Sequence, residues 1–305
     1  MARRLIVRLF QGALTIFGVA VLTFLLEFII PGNTAHAIAP RATAATLREI
    51  TKTLHLNAPL WVQFGDYMKG LLHGNLGESY VQREPVSTLI GQRLPATALL
   101  AGAGVLVEVV VGGTLGIAAG LKRWMSRGVN AISLTFLSIP TFVLGLFLLL
   151  IFGFDLNIAP VTGGMSFGAL ILPALTLGLG GVPWYAQLVR DQVAESLSSS
   201  YVRTAIAKGL PDRWIIVRHV LRNAFSPALT MVGMDLGIFI SGVVVVETVF
   251  GWPGLGQLAV QSLDSLDRPV VMGVALVGAT GVVVMNIVVD FLRMYVDPRT
   301  KLATA

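Results

Sequence analysis

Residues 201–227 form the stretch YVRTAIAKGLPDRWIIVRHVLRNAFSP, the longest strongly basic segment of a chain that otherwise consists mainly of apolar runs. An Ala-rich part passes through Gly209 and Pro211 into a part rich in Ile and Val, which predicts two helices joined by a turn. Gly209 suits the residue just past a helix end, and Pro211 suits the first position of the next helix. A short basic helix between two membrane spans is either a docking element or a topology signal.

The composition indicates a membrane protein. Of the 305 residues, 55% are hydrophobic and only 12% are charged, against ~25% charged in an average globular chain. The net charge of +6 would suggest a nucleic-acid partner on a soluble protein, but most of it falls in loops between apolar runs. We therefore expect the lipid bilayer as a partner and no nucleic acid. The absence of cysteine excludes disulfides and thiolate metal sites.

Six apolar runs are each long enough to cross a bilayer, which takes ~20 residues. They cover residues 9–30, 97–120, 129–153, 168–189, 225–250 and 270–292. The first run is too long for the apolar region of a cleaved signal peptide, which has about 7 to 15 residues, although an A-x-A pattern follows it at residues 35–37. An even number of spans places both termini on one side.

The distribution of Lys and Arg predicts that this side is the cytoplasm. With both ends inside, 15 of the 22 Lys and Arg residues are cytoplasmic, and six of the remaining seven lie in one long external loop, where charge matters least. That loop is polar and carries apolar residues at helical spacing, so it predicts a small helical cap outside the membrane. Three regions follow: an N-terminal segment with the first span at 1–30, the cap at 31–96, and a core domain at 97–305.

The basic stretch resembles the cytoplasmic loop of the permease subunits of peptide and nickel ABC importers. The family pattern is close to YVRTARAKGL, then RHALRNAL and a proline, and this chain has YVRTAIAKGL at residues 201–210 and RHVLRNAFSP at 218–227. Ile206 replaces the usual Arg of the family, and Pro211 replaces a polar capping residue. External pieces at 54–64, 73–79 and 93–97 and a terminal D-P-R at 297–299 match the family as well.

This resemblance implies an all-α membrane protein with the six-span fold of type I ABC importer permeases of the dipeptide and oligopeptide class. It implies one of two permease subunits, a heterodimer that forms a shared path, two ATPase subunits that bind ATP and Mg, and an external substrate-binding protein. The chain itself would bind no cofactor. Its coupling helix, at about 195–222, would contact the ATPase through Tyr201, Arg203, Thr204, Ala205, Ala207, Lys208, Gly209 and His219.

A second resemblance concerns the external end of the path. Residues 247–256, ETVFGWPGLG, resemble the family segment E-x-x-F-x-x-P-G-L-G, and residues 267–271 resemble a following D-x-P piece. The resemblance implies path or gate residues at Glu247, Phe250, Pro253 and Gly254. Asp235, an acid within a predicted span, is a further candidate for the path. Di- and oligopeptides, nickel chelates and other small solutes all fit this family.

Four acids in or near spans keep other functions open: Glu27, Glu108, Asp235 and Glu247. An acid at membrane depth is expensive and raises the suspicion of a proton relay in an ion-coupled secondary transporter, although no paired repeat is visible. The rival interpretation is that they face a water-filled path or a partner helix. A membrane scaffold protein is a further alternative. The sequence contains no G-x-x-x-x-G-K-[ST] loop, so we expect no ATPase site in this chain and no enzyme activity.

Three weaker patterns have simpler explanations. Residues 164–168 match the G-x-S-x-G elbow of hydrolases but lack its strand context, which favours a glycine-rich turn. Histidines 36, 55, 73 and 219 lack the spacing of a metal site, so surface histidines are favoured over nickel ligands. Glycines at 112, 116 and 120, and at 233 and 237, form small-x-x-x-small faces that predict close packing on a helix of this chain or of another.

Overall fold

The computed structural model describes residues 2–29, 35, 39, 41–53, 57–160, 164–241 and 243–296. Within these ranges every regular secondary-structure element is a helix. The β-structure there is limited to one isolated antiparallel bridge between Glu78 and Pro85. The predicted all-α class is confirmed.

Twelve helices carry the described chain, numbered in order. The first six are α1 Ala2–Ile29, α2 Ala44–Thr53, α3 Leu60–Leu72, α4 Val86–Leu121, α5 Arg123–Ser138 and α6 Thr141–Asp155. The second six are α7 Phe167–Ser198, α8 Ser200–Ala207, α9 Asp212–Ile240, α10 Val244–Val249, α11 Leu255–Asp264 and α12 Arg268–Val296. Short π-helical segments interrupt α4 at Glu108–Gly112, α6 at Leu149–Asp155 and α9 at Ile216–Leu221.

Five of these helices, α1, α4, α7, α9 and α12, are individually long and apolar enough to cross a membrane. The fifth predicted span, 225–250, needs correction, because α9 starts earlier, at Asp212, and ends at Ile240. The short α10 is a separate helix. The sequence continues with Ser241 and Gly242, and glycine is a poor helix former.

The third predicted span, 129–153, is not a single helix. It is divided between α5 and α6, which meet at an angle of 96°. Pro140 causes the break, because proline lacks a backbone donor and its ring collides with the preceding turn. Ile139 takes the extended conformation typical of a residue before proline, with φ −95° and ψ 119°.

The chain forms two compact units, and the larger contains the described residues of 98–239, 245–252 and 285–305. Its central contact is the approach of α4 to α7 through glycines. A Cβ atom at Gly112 would lie 2.6 Å from Tyr185 Cβ, and one at Gly116 would lie 2.7 Å from the Ala186 carbonyl oxygen. A Cβ atom at Gly120 would lie 2.7 Å from Val193 Cβ. The residue numbers rise together along both helices, so α4 and α7 run parallel. The partner of the predicted glycine face is therefore a helix of this chain.

The bent pair α5 and α6 runs back along α7 in the opposite direction. Arg190, late in α7, donates a hydrogen bond to Asn130 of α5, whereas a Cβ at Gly145 of α6 would lie 3.1 Å from Thr176, early in α7. These two levels of α7 are ~21 Å apart at 1.5 Å per residue, a large part of the ~30 Å hydrocarbon core. The parallel course of α4 and α7 requires such a return, so the pair supplies the sixth crossing.

The smaller unit comprises residues 1–97, 240–244 and 253–284. Its apolar core joins the start of α4 to α11 and the start of α12, through Val86, Leu89, Ile90, Leu255, Leu258, Val270 and Val274. The amide of Leu255 donates a 2.8 Å hydrogen bond to Thr97 Oγ1 and ties α11 to α4. Helix α3 packs on α1 through aromatic rings, with the Phe24 and Phe64 centroids 5.2 Å apart.

The glycine contact generates a prediction about stability. We expect Gly116→Ala to lower the stability of the purified protein by roughly 1 to 3 kcal/mol, because the methyl group would press on the backbone of α7. Gly102→Ala is the matched control on the same helix, since no atom lies within 4 Å of a Cβ there. It should be neutral or slightly stabilising. Thermal melting in nanodiscs measures both, and equal melting temperatures would contradict the inferred close approach.

Candidate functional site

The predicted coupling helix is α8, and its two sides differ. Val202 and Ala205 are buried, at 1% and 5% exposure. They belong to an apolar core built from α7, α8 and α9, which also includes Tyr185, Val189, Val193, Ile215, Val220, Ala224 and Ala228. The inner side of α8 is thus fixed to the end of one predicted span and the start of the next.

The outer side of α8 carries Ser200, Arg203, Thr204 and Ala207, all exposed. At 3.6 residues per turn, Ala207 lies on the side of the helix opposite Val202 and Ala205. Arg203 donates a hydrogen bond of 3.1 Å to the Ser198 carbonyl at the end of α7, which holds its guanidinium near the helix N-terminus. Tyr201, Ile206, Lys208 and Gly209 are exposed too.

Ala205 requires a correction. The sequence predicts that Ala205 packs into a groove on the ATPase, but the structure buries it in the core of this chain. A bulky residue at 205 would disturb the packing of α8 on α7 and α9 before any partner arrived. Ala205 is therefore an internal anchor of α8.

The turn after α8 depends on Gly209. Its φ is +73°, a left-handed conformation that favours glycine. The Gly209 amide donates to the Ile206 carbonyl at 2.9 Å, and the Leu210 amide donates to the Ala205 carbonyl at 3.3 Å. This pair of bonds is the Schellman pattern of a helix end, and Leu210 packs on the core described above. The predicted role of Gly209 as the residue past a helix end is confirmed, whereas Pro211 precedes the first residue of α9, Asp212, instead of occupying that position.

Polar and aromatic contacts brace α8 against α9. Asn223 Nδ2 lies 3.1 Å from the Tyr201 hydroxyl and 2.8 Å from the His219 carbonyl, and donates to both. The His219 ring lies 6.5 Å from that of Tyr201 and 5.1 Å from that of Trp214. Asn223 and Trp214 were not singled out from the sequence. Asn223 is one helical turn after His219, and that spacing is the signal that could have identified it.

A polar cluster lies inside the larger unit, where α4, α7 and α9 each contribute an ionisable residue. The Tyr185 hydroxyl donates a 2.6 Å hydrogen bond to Asp235 Oδ2. Glu108, at 2% exposure, lies against α7 at Gly181, where a Cβ would overlap its carboxylate in the present side-chain position. Its Oε2 has no hydrogen-bond partner within the part of the chain that the structure describes. Glu108 and Asp235 stand out in the sequence as acids within apolar runs. Tyr185 does not, because it looks like an ordinary residue of the run at 168–189.

The predicted gate residues are distributed over both units. In the larger unit Glu247 is fully buried, at 0% exposure, and Phe250 is buried beside Gly145. The Glu247 carbonyl accepts a 2.8 Å hydrogen bond from the Trp252 amide, which closes a turn after α10. In the smaller unit, Pro253 and Gly254 precede α11.

Asp267 organises the loop that connects α3 to α4 in the smaller unit. Its carboxylate accepts hydrogen bonds from the Ser79 hydroxyl, from the Tyr80 amide at 3.0 Å and from the Val81 amide at 3.4 Å. It is 1% exposed and directly precedes α12. The aspartate of the predicted D-x-P piece thus fixes the loop at 79–81 to the start of α12.

The weaker motifs have local roles in the described chain. Ser166 of the G-x-S-x-G pattern caps α7, where its hydroxyl accepts a 3.2 Å hydrogen bond from the Ala169 amide. The His73 ring lies 2.8 Å from the Lys69 carbonyl. His36, His55 and the D-P-R at 297–299 lie outside the described residues, as does the side chain of Glu27.

Comparison with known families and proteins agrees with this architecture. Residues 112–302 match the family described as binding-protein-dependent transport system inner membrane component, and residues 1–101 match its N-terminal companion family. The chain belongs to this family. The permease is 39% identical over 287 residues to the glutathione transport system permease protein GsiC of Salmonella choleraesuis (strain SC-B67), which covers 93% of this chain and 94% of that protein. Its identity to GsiC of Escherichia coli (strain K12) is 37% over the same length.

Among solved structures, the permease is similar to a chain of the MetNI methionine ABC transporter in an inward-facing conformation. The TM-score is 0.55 at 18% identity, with 69% of this chain and 97% of that chain covered. This likeness concerns the fold alone and confirms the predicted type I ABC importer permease fold. The chain is a multi-pass membrane permease subunit of an ABC importer, and such permeases work with ATPase subunits and a binding protein.

The Gly209 turn can be tested locally. No atom lies within 4 Å of a Cβ at residue 209, so Gly209→Ala should cost only the left-handed strain, about 1 kcal/mol. That cost corresponds to roughly fivefold faster limited trypsin cleavage at exposed Lys208. Gly209→Asn is the control, because asparagine tolerates this conformation and should be cleaved almost as slowly as the wild type. An unchanged rate for Gly209→Ala would contradict the dependence on positive φ.

Proposed function

We propose that this permease forms half of a heteromeric importer for short peptides and that ATPase subunits drive it through α8. The observation that carries the proposal is the two-sided nature of α8, whose inner side is buried on α7 and α9 and whose outer side is exposed. The resemblance of residues 201–210 to the coupling loop of this family supports the same role.

The attachment of α8 allows this helix to transmit a movement of a partner subunit to α7 and α9. ATP binding to a partner can shift the permease only through contacts that differ between two states. Val202 and Ala205 anchor α8 in the core, the Gly209 turn closes its end, and Tyr201 ties it to α9. A push on the outer side of α8 would therefore move α7 and α9 rather than bend the loop. These helices also hold the Tyr185 and Asp235 pair, and we propose that this pair lies along the path.

In this proposal the partner subunits bind the nucleotide. Two ATPase subunits bind ATP and Mg, and the isolated permease hydrolyses no ATP, because its sequence has no phosphate-binding loop of the G-x-x-x-x-G-K-[ST] type. A second, different permease subunit completes the path.

A short peptide is the proposed solute, supported by the identity to the glutathione permeases over nearly the whole chain. An external binding protein would deliver it near the cap at 31–96 and the loop at 250–269. We propose that Glu247, Phe250, Pro253 and Gly254 act at the external end of the core domain at 97–305, where the burial of Glu247 favours a structural or gating role over proton transfer.

Docking through α8 is tested by adding bulk on its outer side. Ala207→Trp should leave membrane insertion and thermal stability unchanged, because Ala207 is exposed and points away from the core. It should reduce co-purification of the ATPase by roughly tenfold or more, the equivalent of about 1.4 kcal/mol of docking energy, and abolish uptake. Ala194→Trp, at an exposed position late in α7, is the matched control and should retain the ATPase. Full ATPase binding and uptake by Ala207→Trp would refute docking through this helix.

Orientation is tested separately with single cysteines, since the chain contains none. We expect cysteines at exposed positions 122 and 203 to be protected from an impermeant thiol reagent in intact cells and a cysteine at position 52 to be labelled. The reason is the excess of Lys and Arg on the proposed cytoplasmic side. Labelling of a cysteine at 203 from outside would show the opposite topology, in which cytoplasmic ATPases could not reach α8.

A further inference from the structure

A cavity of about 240 Å³ lies within the smaller unit, between α3, the loop that follows it and the first turns of α12. Its polar lining comes from Asp66, Tyr67, Asn75 and Tyr80, and its apolar lining includes Leu71 and Met272. None of the described lining residues is basic. The cavity is smaller than typical drug sites of ~300 to 1,000 Å³, so it suits a small ligand.

The walls of this cavity are held in place by contacts outside it. The Tyr80 amide is bound by Asp267, and the same carboxylate accepts from the Ser79 hydroxyl. On the opposite wall, the Tyr67 hydroxyl lies 3.2 Å from Thr23 Oγ1, and its ring stacks on Phe24 with centroids 5.8 Å apart. A preformed site loses less entropy on binding than a flexible one.

The lining chemistry selects a cationic end group. Asp66 supplies a negative charge, and the carboxylate can accept hydrogen bonds from an ammonium group. The ring of Tyr80, and the face of the Tyr67 ring that is not stacked on Phe24, can attract a cation. The side-chain oxygen of Asn75 accepts a 2.9 Å hydrogen bond from the Gly77 amide, so its amide nitrogen is the end of this side chain that can serve as a donor. Leu71 and Met272 provide apolar surface for an adjoining side chain.

We propose that this cavity binds the free ammonium end of a short peptide on the external side of the permease. The inference rests on the proposed function, because it takes the peptide from the solute class argued there. It adds a site in the permease itself, at Asp66, distinct from any site on the binding protein and from the buried cluster of Glu108, Tyr185 and Asp235.

Binding can be measured on the purified permease in nanodiscs without ATPases. Alanyl-alanine should raise the melting temperature in a saturable manner, whereas N-acetyl-alanyl-alanine, which lacks the ammonium group, should have no effect at the same concentrations. Asp66→Asn should weaken binding of alanyl-alanine at least tenfold. Asp264→Asn, which removes an exposed carboxylate at the end of α11, is the matched control and should bind as the wild type does.

Each result decides the proposal. Equal stabilisation by the acetylated peptide, or wild-type affinity in Asp66→Asn, would overturn the assignment of the ammonium site. Failure of alanyl-alanine to bind a permease that still docks its ATPase and takes up peptides would overturn this site and leave the proposed function intact. Saturable, Asp66-dependent binding supports the site even if uptake of peptides fails. The comparison of the two peptides on wild-type protein is decisive even if Asp66→Asn does not fold.

Discussion

The close approach of α4 to α7 is the contact on which the larger unit depends. Without an aqueous hydrophobic effect between helices in a bilayer, packing must come from close surface contact, and small residues permit it. Gly112, Gly116 and Gly120 bring the two backbones together over two turns. The same parallel contact sets Glu108 against Gly181 and fixes the end of α7 from which α8 begins. The positions of the polar cluster and of α8 are therefore set by a row of glycines.

The two alanines of α8 illustrate how helical periodicity assigns different roles to similar residues. Ala205 points into the core of α7 and α9, and Ala207, two residues later, points away from it. A residue near the outer side can vary without cost to the fold, which explains how Ile206, 58% exposed, can stand where the family usually has Arg. A residue on the inner side must stay small. Sequence resemblance alone groups both alanines as coupling residues, whereas packing separates a buried anchor from an exposed position.

The sequence allowed prediction of the features that depend on local chemistry or on length. The left-handed turn at Gly209, the six apolar crossings and the glycine face of α4 all follow from residue type and spacing. Features that depend on neighbours distant in sequence could not be predicted. The burial of Ala205, the pairing of Tyr185 with Asp235 and the identity of the helix opposite Gly116 need the tertiary structure. Pro140 is an intermediate case. Its effect on a helix is local, but the residue lies within the unbroken apolar run at 129–153, which predicts a single span.

Asp267 connects the loop at 79–81 to the start of α12 in the smaller unit. One carboxylate holds residues 79–81 at the N-terminus of α12, so the loop and the first turns of that helix move as one body. Pro269 and Met272 of α12 and Tyr80 of the loop also line the cavity beside α3. A ligand that contacts both walls would therefore favour one position of α12 relative to α3 over another. By linkage, a displacement of α12 changes the affinity of the cavity by the same factor, so a solute held at Asp66 would bias the start of a membrane span.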